Sequence, residues 1–411
     1  MTIRDAVKDK RILIWGYGRE GKASENYIKN HCEPRSVEIF EGKIEDIDEK
    51  EYDIIIKSPG IKMLDYEPFN KKKFTSQTEL FLNEYRDQVI GITGTKGKST
   101  TSSMMAHVLR ECTGRPVILL GNIGLPCMDY CEEITDDTII VFELSCHQMK
   151  HTKVSPHVAV FLNLYEDHLD YYHSMDAYFQ AKSHITTYQV EGDYFYKGEN
   201  VPTIETAAKT VVVTVGEVKD IPLNVFGEHN QLNATFVRKV AREVYGCKDE
   251  DITKALGTFT GLPHRLQHIG NYVGIDWYDD SISTIPEAAV GALKSIPKVK
   301  SILIGGMDRG IDYDVLIDFM AEHGEFNYIC MYESGKRVCD EFFYKYPEYR
   351  NAGAGRCVLY VADLPMAVKQ AADITPAGMG CVLSPAAASY GYFKNFEDRG
   401  DRFAEMVKGL L

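Results

Sequence analysis

Along the chain, short apolar runs alternate with longer amphipathic stretches, a pattern that predicts strands followed by helices. Arg11-Ile-Leu-Ile-Trp15 reads as a buried strand, followed by Gly16-Tyr-Gly18-Arg-Glu-Gly21 and a helix over 22–30. Strands are predicted at Val37–Phe40 and Asp53–Lys57, the latter ending in the turn signal Ser58-Pro59-Gly60, before a helix that reaches Tyr85. A second series starts at Val89-Ile-Gly-Ile-Thr93, enters Gly94-Thr-Lys-Gly-Lys-Ser99, and continues as a helix to about Glu111. Strands follow at Val117–Leu120, Thr138–Glu143 and His157–Leu162. Residues 190–225, rich in Val, Tyr and Thr with interleaved Gly, predict short antiparallel strands ahead of a helix from His229 to Tyr245. Beyond Gly261-Leu-Pro-His-Arg265, strands are predicted at Gly274–Tyr278, Ser301–Ile304, Tyr328–Met331, Val358–Val361 and Gly380–Leu383. The expected fold class is α/β in three domains. They are a small Rossmann-like N-terminal domain over 1–88, a central phosphate-loop domain with a mostly parallel sheet over 89–262, and a Rossmann-like C-terminal domain over 263–411. Linkers near Asp87 and Gly261 are the expected hinges for closure around ligands.

Composition narrows the function classes. Among 411 residues, 44% are hydrophobic and 26% charged, which excludes disordered and fibrous chains. The net charge of −14 argues against a nucleic-acid partner, although a few focused cations and backbone amides can still hold a small anion. Met1 to Arg11 lacks the apolar core of a secretory leader, and no run of about 18 apolar residues offers a membrane span. The ten cysteines lack a doubled C-x-x-C spacing and read as free thiols in a reducing compartment. A cytoplasmic protein is expected.

Two glycine-rich segments carry candidate chemistry. Gly94-Thr95-Lys96-Gly97-Lys98-Ser99 is a compressed triphosphate loop between a strand and a helix. Its glycines let backbone amides close on phosphate oxygens, Lys98 can reach the terminal phosphates, and Ser99 can hold Mg²⁺. Gly16-x-Gly18-x-x-Gly21 is open to three readings: a nicotinamide or flavin cofactor, another nucleotide diphosphate, or helix–strand packing. A triphosphate loop in the next domain tilts this toward a nucleotide substrate. Glu143 and His168 stand at predicted strand ends, where side chains face the ligand crevice, so with Ser99 they make a Mg²⁺ site plausible.

Seven segments occur in an order that resembles the Mur ligases, ATP-dependent amide-forming enzymes of cell-wall precursor synthesis. They are Gly94–Thr100, Gly121–Gly124, Glu143–Ser145, Glu166–His168, Gly227–Asn230, Gly261–Arg265 and Ser384–Ser389. Phe259–Arg265 and Phe393-Lys-Asn-Phe-Glu-Asp-Arg-Gly400 resemble the branch that adds D-glutamate to UDP-N-acetylmuramoyl-L-alanine. The resemblance implies an acyl-phosphate mechanism in the central, ATPase-type domain, with ATP and two Mg²⁺ ions as cofactors and a monomeric enzyme. Lys98, Glu143, His168 and Lys182 would be catalytic, and Ser99, Glu143, His168 and a carbamylated Lys182 would hold metal. Gly94, Thr95, Lys96, Gly97, Lys98, Ser99, Thr100, Asn230, Asn233, His264, Arg265 and Asp280 would contact ATP. Gly18, Arg19, Ser58, Gly60, Asn122 and Ser145 would line the UDP-substrate cleft, and Thr284, Arg309, Ser389 and Phe396 would bind glutamate. The chain departs from the pattern at Lys96, at Cys146-His147 where Ser-Phe is commoner, and at Asp280-Ser-Ile-Ser-Thr284, where Ile282 replaces a lysine. Addition of L-glutamate, a folylpolyglutamate synthetase-type ligase and a silent nucleotide-binding partner stay open as alternatives.

Overall fold

The computed structural model describes residues 1–62, 71–214, 221, 223–225, 228–350 and 357–410; Gly227 of the fifth segment and the end of the 190–225 stretch fall outside them in part. The chain divides into two compact units, residues 1–222 with 228–258, and residues 223–227 with 259–411.

The first unit holds two sheets. Strands β1 (Arg11–Trp15), β2 (Ser36–Phe40), β3 (Ile54–Lys57) and β4 (Phe74–Thr75) pair in parallel in the order β2-β1-β3-β4. The second sheet comprises β5 (Val89–Thr93), β6 (Val117–Gly121), β7 (Ile139–Glu143), β8 (Val158–Phe161), β9 (Tyr194–Gly198) and β10 (Lys209–Val213). Its order is β10-β9-β8-β5-β7-β6, and every pair is parallel. Every residue of β5, β7 and β8 is buried, which is why their sequences run apolar without alternation. From β5 the chain moves outward to β6, returns through β7, and then crosses to β8 on the other flank of β5. Winding therefore reverses at β5, and the segments after β5, β7 and β8 open into one crevice at the carboxyl end of the sheet. One apolar core serves both sheets: Ile14 and Phe81 belong to the same buried cluster as Phe142 and Phe161. The Phe81 and Phe142 rings meet edge to face at 5.6 Å.

The antiparallel strands expected within 190–225 are corrected by the structure. β9 and β10 extend the sheet in parallel, with Tyr194 beside Lys209 and Gly198 beside Val213. Composition conveys strand propensity but no direction. Direction is set by the link over 199–208, which at full extension reaches roughly 33 Å and so returns the chain to the starting edge of β9 without a helix.

The second unit is built on β11 (Gln267–Tyr272), β12 (Ile275–Asp279), β13 (Val299–Ile304), β14 (Asn327–Met331), β15 (Cys357–Val361) and β16 (Gly380–Leu383). The order is β11-β12-β16-β13-β14-β15, parallel except for the β11–β12 hairpin. That hairpin turns through Val273 and Gly274, both at positive φ, as a tight two-residue turn requires. Apolar layers cover both faces, one around Ile302 and Tyr328, the other around Trp277 and Leu303.

Candidate active site

The segment after β5 is a strand–loop–helix junction whose shape is fixed by glycine. Gly94 and Gly97 have φ of +156° and +84°, and Gly97 caps the helix Lys98–Thr113. The backbone amides of Ser99 and Thr100 thus lie in the first turn, where amides lack intrahelical partners and favour an anion. Asn163, just past β8, braces the loop: its side chain accepts from the Lys96 amide at 2.9 Å and donates to the Lys96 carbonyl at 3.0 Å. The Thr95 hydroxyl lies 3.3 Å from that of Tyr178. Exposed Lys96 reaches Asp167 at 3.7 Å. On the helix Glu228–Glu243, Asn233 donates to Asn230 at 3.0 Å, and a Cβ on Gly97 would come within 2.9 Å of the Asn233 amide. Both asparagines are therefore brought to the loop.

Two lysines converge on one acceptor. Lys98 Nζ donates to the Gly94 carbonyl at 2.9 Å and to the Thr95 carbonyl at 3.1 Å, while Lys182 Nζ donates to the same Gly94 carbonyl at 2.9 Å. Lys182 comes from the helix Met175–Thr187, is 1% exposed, and lies over the Tyr178 ring at 4.8 Å. Burial pushes its pKa down to about 8, and neighbouring Lys98 adds to the shift. Burial also lowers the Lys98 value, opposed by Glu143.

Glu143, the last residue of β7, is buried; its Oε1 accepts from Asn122 Nδ2 at 3.1 Å, and its Oε2 has no hydrogen-bond partner. An orphaned carboxylate oxygen is costly unless a cation completes it. With the Ser99 hydroxyl, it is a donor set that suits Mg²⁺. His168 follows β8, exposed and left-handed at φ +55°, with its ring 6.0 Å from that of Tyr178. Tyr178 thus touches Thr95, His168 and Lys182 together.

The first sheet contributes a second group. Gly16 sits at φ +93°, and a Cβ on Gly21 would stand 2.2 Å from the Gly16 carbonyl oxygen, so packing explains both. Gly18 and Gly60 face open space, since a Cβ on either would meet no atom within 4 Å. Arg19 donates to the Gly124 carbonyl, and the Ser58 hydroxyl to the Gly16 carbonyl at 2.9 Å. Ser145 caps the helix Cys146–Met149 through a reciprocal pair with Gln148, whose amide reaches Glu20 at 2.9 Å. Three polar residues absent from the expected site stand here: Glu20, raised in pKa by burial; Lys57, pushed down to about 8 by burial; and Gln148. Lys57 ends β3 and could have been found by asking which polar residues close a buried strand.

In the second unit, Asp280 is buried, accepting from Ser283 and from Ser384 at 2.8 Å, and burial raises its pKa to about 6. His264 bonds Asp279 at 2.7 Å, which raises its pKa. Arg265 donates its backbone amide to Leu262 O at 3.2 Å. Arg309 donates to the Thr284 carbonyl at 3.1 Å, Ser389 is buried, and Phe396 opens the helix Phe396–Lys408 with its carbonyl bonded to Ser281. Arg399, absent from the expected site, is fully buried and donates to Ser281 Oγ at 2.9 Å, Ser281 O at 2.7 Å and Ala387 O at 3.0 Å. Gly400 admits no side chain, since a Cβ would meet His264 Nδ1 at 2.1 Å. The Phe393–Gly400 signature is thus partly architectural.

The Mur ligase middle domain family matches residues 92–197. A UDP-N-acetylmuramoylalanine–D-glutamate ligase from Aquifex aeolicus is 31% identical over 426 residues, covering 97% of this chain and 98% of that protein. One of the same description from Enterococcus hirae is 34% identical over 405 residues, covering 89% and 84%. Among solved structures, UDP-N-acetylmuramate–alanine ligase from Thermotoga maritima shares the fold at a TM-score of 0.60 and 19% identity, covering 97% of this chain and 99% of that one.

Proposed function

We propose, on the premise that the chain belongs to the Mur ligase family, that it joins D-glutamate to UDP-N-acetylmuramoyl-L-alanine at the expense of ATP. The observation that carries this reading is the convergence of Lys98 and Lys182 on the Gly94 carbonyl in the crevice that also holds the orphaned Glu143 oxygen. A carboxylate resists attack by an amine. On this reading the alanyl carboxylate first takes the terminal phosphoryl group of ATP and ADP leaves; the glutamate amine then attacks the acyl carbon, phosphate leaves, and the amine gives up a proton. Charge grows on phosphoryl and carbonyl oxygens in both steps, so fixed donors supply most of the rate. Lys98 and the amides of Gly97 to Thr100 hold the phosphates.

Two Mg²⁺ ions, when bound, would screen the charge shared between ATP and the acyl group; Ser99 and Glu143 would hold one, His168 and Lys182 the other. A bare lysine repels a cation. A neutral Lys182 amine adding to CO₂, with loss of one proton, becomes an anionic carbamate with oxygen donors, and the lowered pKa supplies that neutral amine. Gly18, Arg19, Ser58, Gly60, Asn122 and Ser145 are assigned to the UDP substrate. Thr284, Arg309, Ser389 and Phe396 are assigned to glutamate, and Asn230, Asn233, His264, Arg265 and Asp280 to ATP. The reading is of a cytoplasmic monomer with three domains, 1–88, 89–262 and 263–411.

Ile282 favours one second reading, addition of L-glutamate, because a loop that lacks the usual lysine grips a carboxylate differently. Phosphate release from ATP is measured with UDP-N-acetylmuramoyl-L-alanine and each glutamate enantiomer in turn. Release that needs both acceptor and D-glutamate, with the ligated nucleotide seen by mass, is expected. Preference for L-glutamate, or release without acceptor, overturns the proposal.

A further inference from the structure

Beside the oxygen-lined crevice stands a donor set of different chemistry. Cys146, His147 and His168 place one sulfur and two ring nitrogens within 4.8 Å of one another, the single such cluster among the described residues. Two elements bring them together. Cys146 and His147 open the helix Cys146–Met149, whose start is pinned by the Ser145–Gln148 capping pair, and His168 arrives from the segment after β8. The His147 ring is held in place, lying parallel to Tyr172 at 5.6 Å and edge-on to Tyr171 at 4.4 Å. Its ring lies 5.3 Å from that of His168.

We propose that Cys146, His147 and His168 form a binding site for a thiophilic divalent cation of the Zn²⁺ class. Sulfur and imidazole donors select such ions over Mg²⁺, which demands oxygen. Tetrahedral Zn²⁺, with bonds of about 2.3 Å to sulfur and about 2.0 Å to nitrogen, needs its donors ~3.5 Å apart, so closure takes side-chain motion on the order of 1 Å. The Cys146 side chain is buried. Three protein donors leave a fourth position for water or a substrate oxygen. Since His168 is shared, Zn²⁺ bound here withdraws a ligand from the second Mg²⁺ position; this consequence rests on the proposed function, whereas the site itself does not.

The test is direct metal binding by the full chain, freed of metal and without nucleotide. Co²⁺ is titrated as a spectroscopic stand-in, and the thiolate-to-cobalt charge-transfer band in the near ultraviolet is followed. One equivalent per chain with that band, displaced by Zn²⁺, is expected. Cys146→Ser should abolish the band, and His147→Phe, which keeps an aromatic ring but no nitrogen, should weaken binding about tenfold or more. No band in the folded wild type, a band that survives Cys146→Ser, or an affinity unmoved by His147→Phe overturns the site. In turnover, Zn²⁺ should slow the wild type and slow Cys146→Ser far less. Binding that leaves turnover untouched would sustain the site and remove its link to the Mg²⁺ ligand.

Discussion

At the scale of single residues, the proposed function asks different things of two lysines. On that function Lys98 meets charge that grows during phosphoryl transfer, so Lys98→Ala should lose about 100- to 1000-fold in turnover. The fold should tolerate the change, because Lys182 still satisfies the Gly94 carbonyl. Circular dichroism beside steady-state rates checks both halves. Lys182 must be neutral to take up CO₂, and its pKa near 8 makes the neutral amine scarce below that value and dominant above it. At fixed dissolved CO₂, carbamylation should rise with pH through about 8, as seen by the ¹³C carbamate signal after labelling. Lys182→Ala should be nearly inactive and partly restored by acetate, which returns an oxygen donor. A carbamate signal that is flat across that range would remove the assignment.

Elements explain how much was legible beforehand. Continuous apolar runs announced β5, β7 and β8, because strands buried on both faces need no polar alternation. β4, two residues long, is too short to show a period, and β11 is a polar edge strand. Candidate residues on strand ends were readable for the same reason the strands were. Lys57, at the end of β3, was open to the same rule; Glu20 was not, since its meaning comes from burial beside Gln148, far along the chain. Arg399 stands inside the Phe393–Gly400 signature, yet its buried guanidinium ties Ser281 to Ala387, a link that only the folded chain reveals. The helix Phe396–Lys408 can pack so closely only because residue 400 has no side chain. Gly400→Ala should therefore destabilise the second unit by about 1–3 kcal/mol, as overpacking of a tight contact does. Equilibrium denaturation of wild type and variant would show it, and equal stability would mean that His264 moves aside freely.

At the scale of the whole molecule, the paired lysines have a thermodynamic side. Before Lys182 is carbamylated, Lys98 and Lys182 share one neutral peptide oxygen, so the loop stores electrostatic frustration: two like charges, each partly stripped of water, meet at the Gly94 carbonyl. A polyanion relieves that conflict in the folded chain and has nothing comparable to relieve in the unfolded one. Linkage then makes the triphosphate a folding ligand as well as a reactant, worth ~2.7 kcal/mol at a hundredfold excess over its dissociation constant. Triphosphate should accordingly raise the unfolding temperature of the wild type, and raise that of Lys98→Ala much less. The same two lysines would thus make the protein's own durability rise and fall with the energy charge of its surroundings.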